Sequence, residues 1–214
     1  MSAAPEHAAL MDRVYRHQRY IYDLTRKYYL FGRDRLIREL ALAPRGRLVE
    51  IGCGTARNLV KIARRYPEAQ LFGLDASAQM LKTAAETLRR AGLTDRVVLA
   101  HGYAEDLSPA MFGQTALFDA CVFSYSLSMI PDWRKALNAA SEALNPAGKI
   151  HVVDFGDLNG LTPLPRSLLL GWLRLFHVAP RMELLQSFEQ ASEPSLQVLP
   201  LRYAFLLTTG IRRF

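Results

Sequence analysis

An α/β fold with a mostly parallel sheet, helices on both of its faces and an added N-terminal helical segment is what this sequence predicts. An apolar run near 47–52 leads into a glycine-rich turn, and a second apolar run ends at Asp75. A helix-compatible segment at 58–66 separates the two runs. This strand–turn–helix–strand order is typical of parallel sheets, because parallel strands need a crossover connection. The chain has 214 residues, half of them hydrophobic, which is enough for one such domain with a sizeable core.

The remaining segments alternate in the same rhythm. The pattern predicts strands near 47–52, 70–75, 96–101, 117–123 and 149–154, and helices near 57–66, 77–91 and 132–144. Ser77 is expected to cap the second of these helices, because its hydroxyl can accept from a free helical N–H, and Pro67 is expected to end the first. The segment 145–148, Asn-Pro-Ala-Gly, is expected to form a turn before strand five.

The rhythm changes after Asp154. A leucine-rich segment at 166–178, bracketed by prolines, predicts an amphipathic or largely buried helix. A further helix is expected at 182–192. The apolar stretches 196–201 and 203–211 then predict a closing pair of strands.

The charge of the chain is unevenly placed. Lysine and arginine outnumber aspartate and glutamate by 27 to 20, which gives a net charge of +7 and a pI of about 9.6. Within 12–42, which we expect to be helical with a break near Gly32, many basic residues are interleaved with tyrosines. The excess of positive charge favours an anionic partner, either nucleic acid or the face of an anionic membrane.

The cysteines and the N-terminus indicate the compartment. Neither Cys53 nor Cys121 lies in a C-x-x-C pair, so we expect no disulfide and no zinc site. The first ten residues lack the apolar core of a signal peptide, and no apolar run reaches transmembrane length. We therefore expect a cytoplasmic protein with an N-terminal helical segment, 1–42, and one domain, 43–214.

The turn after the first strand carries the most specific motif. Its pattern is E-x-G-x-G-x-A, formed by Glu50, Gly52, Gly54 and Ala56. Glycines let the backbone approach a ligand, the following helix N-terminus offers free N–H groups, and an acid such as Asp75 after the second strand accepts from ribose hydroxyls. A dinucleotide fingerprint needs a third glycine where this chain has Arg57, so the pattern does not fit NAD or FAD.

This motif resembles the first motif of class I S-adenosylmethionine (AdoMet) methyltransferases. The resemblance implies a Rossmann-like, mostly parallel seven-stranded sheet and AdoMet as cofactor, with the acid and the glycine turn at its methionine end. The segment 101–107 resembles the family's segment after strand three, but Tyr103 replaces the aspartate, so Ala104 and Glu105 become the adenine-side candidates. The predicted cofactor-binding residues are Glu50, Gly52, Cys53, Gly54, Ala56, Asn58, Asp75, Ala76, Met80, Ala104, Glu105 and Ser124.

Methyl transfer from a sulfonium is an in-line displacement, for which close approach is the main requirement. The loop 124–133 after strand four is expected to border the transfer centre, because ligands of open α/β sheets sit beyond the carboxyl ends of the strands. His101, His151 and His177 are candidate bases, although a lone histidine is more often a packed or surface residue. No metal-ligand spacing and no nucleophile elbow occur in the sequence, which disfavours metal and covalent mechanisms.

A second, narrower resemblance concerns the acceptor. The segment 16–34 is similar to the N-terminal signature of bacterial diacylglyceryl-homoserine N-methyltransferases, the BtaB-type enzymes of betaine-lipid synthesis. The similarity continues through 49–58, 124–133, 144–157 and 175–181. It implies three successive AdoMet-dependent methylations of one lipid amine, which give diacylglyceryl-trimethylhomoserine. The enzyme would then work at the inner face of the cytoplasmic membrane, with its basic N-terminal helix on the anionic surface.

The acceptor-side residues follow from this chemistry. Tyrosines are suited to a cage for a quaternary ammonium, because aromatic faces attract cations. An arginine can pair with the homoserine carboxylate. The catalytic candidates are Tyr22, Tyr125 and Tyr28, and the substrate-binding candidates are Arg26, Tyr29 and Arg181.

Other acceptors remain open at this point. A phosphatidylethanolamine N-methyltransferase is the nearest alternative, followed by a small-molecule or quinone methyltransferase and by an RNA-binding methyltransferase. A nucleic-acid partner is not expected, because no zinc-finger or RNP-like motif occurs in the sequence. A non-catalytic protein with an AdoMet-binding fold is a further alternative. The sequence gives no oligomeric state.

Overall fold

A computed structural model describes residues 30–175, 178, 180, 182–185 and 194–210 of the chain. The tyrosines and arginine predicted near the N-terminus, Tyr22, Arg26, Tyr28 and Tyr29, lie outside the described residues, as do His177 and Arg181. The predictions made for those side chains, and the domain boundary at residue 42, stay predictions.

The described residues form a seven-stranded sheet that confirms the predicted fold class. Its strands are β1 (Arg47–Ile51), β2 (Gln70–Asp75), β3 (Val97–His101), β4 (Phe118–Ser124), β5 (Leu144–Phe155), β6 (Ser195–Val198) and β7 (Ala204–Thr209). The order across the sheet is β3-β2-β1-β4-β5-β7-β6. The first five strands are parallel, whereas β7 runs antiparallel to both β5 and β6. The predicted closing strand pair is therefore present at one edge of the sheet.

Helices cover both faces of the sheet. They are α1 (Arg33–Glu39), α2 (Arg57–Arg65), α3 (Ala78–Arg90), α4 (Trp133–Glu142) and α5 (Pro163–Leu175). Ser77 caps α3 as predicted, since its hydroxyl accepts from the Met80 N–H at 3.3 Å. Asp132 caps α4 in the same way by accepting from the Lys135 N–H at 3.2 Å. Among the described helices, none combines the length and the hydropathy that a membrane crossing requires.

The core lies on both faces of the sheet. In β1, Leu48 belongs to the cluster under α1, α2 and α3, whereas Val49 and Ile51 belong to the cluster on the opposite face under α4. This division follows from the strand geometry, because successive side chains point to opposite faces. A central parallel strand buried on both faces must therefore be apolar at nearly every position. Among the buried positions of β1, Glu50 is the exception.

Two sequence expectations are wrong. The segment 145–148 does not form a turn before strand five but lies within β5, where the register against β4 shifts between Phe118 and Ala120. A Cβ on Gly148 would lie 2.9 Å from the Asn145 carbonyl oxygen, so glycine accommodates this irregularity. The proline-bracketed helix begins at Pro163 rather than at residue 166. Of the two forms expected for it, amphipathic or largely buried, the second is wrong, because part of the helix is exposed.

Candidate functional site

The candidate site lies at the carboxyl ends of β1, β2, β4 and β5 and begins with the glycine turn. The N–H groups of Gly52 and Cys53 both donate to the Leu74 carbonyl, at 2.8 and 3.0 Å, which ties the turn to the neighbouring strand. Gly52 has a φ of +72°, and a Cβ there would lie 2.6 Å from the Ser126 Cβ. Only glycine combines that backbone conformation with so close an approach. The turn therefore packs directly against the loop that follows β4.

Glu50 forms the acidic floor of this turn. Its side chain is 2% exposed, and one carboxylate oxygen accepts from the Asn58 amide nitrogen at 2.7 Å. Arg57 donates to the Asn58 side-chain oxygen at 3.0 Å, which fixes the amide orientation. A buried carboxylate costs free energy unless it is hydrogen-bonded. The Asn58 amide therefore supplies a hydrogen bond that a buried acidic side chain at this position needs.

Asp75 closes the other side of the turn. One of its carboxylate oxygens accepts from the Gly54 N–H at 2.7 Å, and the other accepts from the Ser77 N–H at 2.9 Å. Burial, and then the nearby Asp75 and Glu50 carboxylates, raise the pKa of the Cys53 thiol well above its usual value. Cys53 is thus a neutral, buried side chain of the turn, in contact distance of Gly73.

The other predicted cofactor-binding residues lie around the glycine turn and differ in how far they are buried. Ala56 adopts a left-handed conformation and precedes α2, whereas Met80 is fully buried in the first turn of α3. Ala104 is buried in the short 3-10 turn after β3 and Glu105 is half-buried there. Burial, together with the Asp132 and Asp106 carboxylates, raises the pKa of Glu105. The carbonyl of Ala76 lies 3.0 Å from the His101 imidazole.

The exit of β4 supplies hydroxyls to the site. Ser124 and Ser126 are both buried, and their hydroxyl oxygens have no hydrogen-bond partner in the described part of the chain. Buried hydroxyls are nearly always satisfied in folded proteins. Because Ser126 lies against Gly52, these groups are well placed to meet a bound molecule. Sequence reasoning found Ser124 but missed Ser126, and the serine-rich run of 124–128 was the signal available.

Asp154 is a second residue that sequence reasoning missed. It is almost fully buried at the end of β5, where its carboxylate accepts from the Ser128 N–H at 2.9 Å and from the Phe155 N–H at 2.8 Å. These bonds hold the loop after β4 to the end of β5. The acid at the end of an apolar strand was visible in the sequence, but its partners were not.

An aromatic cluster of Phe31, Tyr125, Phe155 and Tyr203 lies beside the serines. The ring centroids of Tyr125 and Phe155 are 4.6 Å apart, and those of Phe31 and Tyr203 are 5.3 Å apart. The Tyr125 hydroxyl donates to the Phe31 carbonyl at 2.5 Å, which links the segment before α1 to the β4 loop. The Tyr203 hydroxyl is buried without a partner among the described residues, and burial raises its pKa.

Tyr125 is the predicted catalytic residue that the structure describes. Its φ is +57°, an uncommon conformation for a bulky side chain, and such strain is typical of functional sites. Its side chain is buried rather than open to a cage. The structure therefore brings Tyr125 to the site but uses its hydroxyl to hold Phe31.

The two candidate bases that the structure describes differ in their exposure. His101 is exposed at the end of β3. His151 is buried within the sheet, 3.1 Å from the Thr208 hydroxyl, and burial followed by the Lys149 charge lowers its pKa to about 4. His151 is therefore a neutral side chain packed within the sheet, with a low affinity for a proton, and its role as a base stays a prediction.

The described residues fit AdoMet by their chemistry. A buried acid suits the ammonium of its amino-acid end, and an acid at the end of β2 suits ribose hydroxyls. The buried Ser124 hydroxyl, which has no partner among the described residues, suits a polar group of the cofactor. The close contact of Gly52 with Ser126 leaves backbone, not side chain, to face such a ligand.

Comparison with known proteins decides the family. Residues 48–148 match the family described as "Methyltransferase domain" (Methyltransf_25). A ubiquinone/menaquinone biosynthesis C-methyltransferase UbiE from Syntrophotalea carbinolica is 32% identical over 195 residues, which are 86% of this chain and 77% of that protein. The chain belongs to the UbiE-related family of AdoMet-dependent methyltransferases. AdoMet is thus the cofactor of this methyltransferase, as the glycine motif predicted.

Other curated relatives of the methyltransferase are longer than the part of them that matches this chain. A demethylmenaquinone methyltransferase from Listeria welshimeri is 29% identical over 131 residues, 61% of this chain and 50% of that protein. The methyltransferase spans 50 to 63% of the length of this and three other curated relatives. A SAM-dependent methyltransferase from Aquifex aeolicus shares the fold, with a TM-score of 0.65 at 16% identity over 88% of this chain and 93% of that chain.

Proposed function

We propose that this methyltransferase transfers a methyl group to a ring carbon of a lipid-tailed quinol. The relatives named above carry quinone methyltransferase names, so they support the quinone alternative over the betaine-lipid expectation. The structural observation that carries the proposal is the aromatic cluster beside Ser126. Flat aromatic acceptors pack well against tyrosine and phenylalanine rings, each ring pair contributing about 0.5–1.5 kcal/mol beyond its burial.

The cofactor side of the proposal uses the acidic turn. Glu50 would hold the ammonium group of AdoMet, with Asn58 fixing the carboxylate in place. Asp75 would accept from the ribose hydroxyls, and Ala104 and Glu105 would lie at the adenine side. When bound, AdoMet would supply an electrophilic methyl group: its methyl–sulfur bond would break as the carbon–carbon bond forms, S-adenosylhomocysteine would leave, and the ring carbon would lose its proton to water.

The acceptor side of the proposal uses the β4 and β5 ends. The exposed ring of Phe31 and the partly exposed ring of Tyr203 would contact the acceptor ring, with Tyr125 and Phe155 buried behind them. Ser126 would hydrogen-bond a phenolic oxygen next to the glycine turn. Tyr203 is the second hydroxyl available for such an oxygen, since it has no partner within the described residues. Close approach in a water-poor pocket is the main contribution that the protein makes to a methyl displacement. The aromatic side chains would supply that exclusion of water.

A direct assay tests the proposal. The full chain is incubated with labelled AdoMet and, in separate detergent-dispersed samples, with a short-tailed demethylmenaquinol, diacylglyceryl-homoserine or phosphatidylethanolamine. We expect label in the quinol alone, on a ring carbon as located by NMR. Label on the amine of diacylglyceryl-homoserine, with none in the quinol, would replace the proposal by the betaine-lipid function. Label in phosphatidylethanolamine alone would overturn it in favour of phospholipid methylation.

The Ser126→Ala variant separates acceptor positioning from cofactor binding. We expect a raised KM for the quinol and an unchanged dissociation constant for AdoMet. The matched control is Ser108→Ala, which removes a serine hydroxyl in the loop that precedes the 3-10 turn at Pro109–Phe112. An unchanged KM in the Ser126 variant would remove this serine from the acceptor site.

A further inference from the structure

The outer face of α5 is apolar, and none of the residues that the structure describes covers it. Leu164 is 71% exposed and Leu168 is 67% exposed, one helical turn apart. Gly171 continues the same face, and a Cβ there would meet no atom within 4 Å. Large exposed leucines in register along one helix are unusual, because a solvent-facing helix surface is normally polar.

The opposite face of the same helix packs on the domain. Leu173 is buried, and Leu169 and Leu170 are partly buried against the core cluster. The helix is thus held by one apolar face while it presents another. A helix that is apolar all round is expected to be covered on all sides. Of the leucines of α5 whose side chains the structure describes, Leu164 and Leu168 remain outside the packed face.

The charge of α5 indicates what covers the second face. The helix carries no acid, and its exposed charged residue is Arg174, whereas Arg166 is partly buried and donates to the Asp157 carbonyl at 3.2 Å. Apolar side chains combined with basic ones are typical of a helix that lies in the interface of an anionic membrane. The net charge of the whole chain, +7, has the same sign.

The uncovered face is continuous with the candidate site. Leu201, 56% exposed, accepts through its carbonyl from the Gly160 N–H at 3.2 Å, just before α5 begins. Two residues further on, Tyr203 belongs to the aromatic cluster, and its carbonyl accepts from the Gly156 N–H at 2.8 Å. The hydrogen bonds between segments 156–160 and 201–203 therefore connect the start of α5 to the aromatic cluster.

We propose that the α5 face, formed by Leu164, Leu168 and Leu201 with Arg174, docks on the surface of an anionic phospholipid bilayer. The leucines insert into the headgroup region and Arg174 pairs with a lipid phosphate. Docking by this face sets the aromatic cluster at the membrane, where a lipid-tailed molecule can enter without crossing water. The docking does not depend on which acceptor is methylated.

Vesicle binding of the full chain tests this surface without turnover. Sedimentation with phosphatidylglycerol–phosphatidylcholine vesicles is compared for the native sequence and the double variant Leu164→Asp/Leu168→Asp. We expect roughly tenfold or more loss of partitioning in the variant, because each leucine contributes its burial in lipid. The matched control, Val98→Asp, changes an exposed apolar residue of β3 at the opposite edge of the sheet and should bind as the native chain does.

A fluorescence measurement locates the contact. Trp172 lies on α5 and is half-buried, whereas Trp133 is buried. Vesicles with brominated acyl chains should quench the emission of the native chain, and Trp172→Phe should abolish that quenching. All variants are first shown to keep their affinity for AdoMet, so that loss of folding is not mistaken for loss of docking.

Three results would overturn the proposal. The first is equal vesicle binding by the native chain and the leucine double variant. The second is a concentration-dependent dimer in solution that the double variant abolishes, which would assign the face to a second copy. The third is protection of a Leu168→Cys thiol from maleimide in the monomer without vesicles, which would mean that another segment of this chain covers the α5 face.

Discussion

Removing the charge of Glu50 while keeping its shape isolates one part of the candidate site. In Glu50→Gln, the amide oxygen can still accept from Asn58, whose nitrogen lies 2.7 Å from the present carboxylate. A hydrogen bond to a charged partner is worth about 1.5–3 kcal/mol and a neutral one about 0.5–1.5 kcal/mol. The variant should thus lose about 1–2 kcal/mol of AdoMet binding, which is an about 5- to 30-fold higher dissociation constant.

Isothermal titration with two ligands makes this prediction specific. AdoMet should bind the variant more weakly, but 5′-methylthioadenosine, which lacks the amino-acid end, should bind the variant and the native chain alike. Glu142→Gln, at the exposed end of α4, removes the same charge elsewhere and should change neither affinity. An equal loss for both ligands, or no loss for AdoMet, would refute the assignment of Glu50 to the amino-acid end.

Three further predictions concern the turn, the aromatic cluster and the sheet. Gly52→Ala should abolish AdoMet binding. The control Gly113→Ala, at a similar φ but with open space around it, should lose only about 1–2 kcal/mol of stability. Equal AdoMet affinities of the two variants would contradict this prediction. In urea unfolding, Tyr125→Phe should cost about 1 kcal/mol by losing its hydroxyl bond, and Tyr203→Phe should cost nothing, because its hydroxyl has no partner among the described residues. The folded pKa of His151, about 4, lies below the usual 6.5, so its stabilising contribution is complete above pH 6.5 and lost as the pH falls towards 4. The free energy of unfolding should drop by about 2 kcal/mol between pH 7.5 and pH 5 from this group alone, and His151→Leu should remove that part.

The local features of the fold were within reach of the sequence. The β1 and β2 strands, the glycine turn and the Ser77 cap depend on neighbouring residues, and the structure confirms each of them. The prediction of a turn at 145–148 was wrong because the structure of this segment depends on a distant strand. Asn145 and Gly148 carry turn-forming chemistry, but pairing with β4 draws the segment into the sheet, and a bulge absorbs the mismatch.

The acceptor side shows the same difference between features set by neighbouring residues and features set by distant ones. Tyr125 was a candidate from its place after β4, but its bond to the Phe31 carbonyl joins residues 94 positions apart, which no local pattern encodes. The outer face of α5 gives a second case. Its leucines predicted an amphipathic or largely buried helix, but the hydrophobicity of a segment gives the amount of apolar surface and not which part of it is covered.

By itself, the sequence determined the fold class, the cofactor and the residues of the turn, since short-range rules of strand, glycine and cap act on neighbouring positions. The tertiary structure alone decided that Ser126 meets Gly52, that Asp154 fastens the β4 loop, and that four aromatic rings gather beside them. Those contacts join distant parts of the chain at the carboxyl edge of the sheet. They exist only because parallel strands, each entered from the same end, bring their closing loops together there.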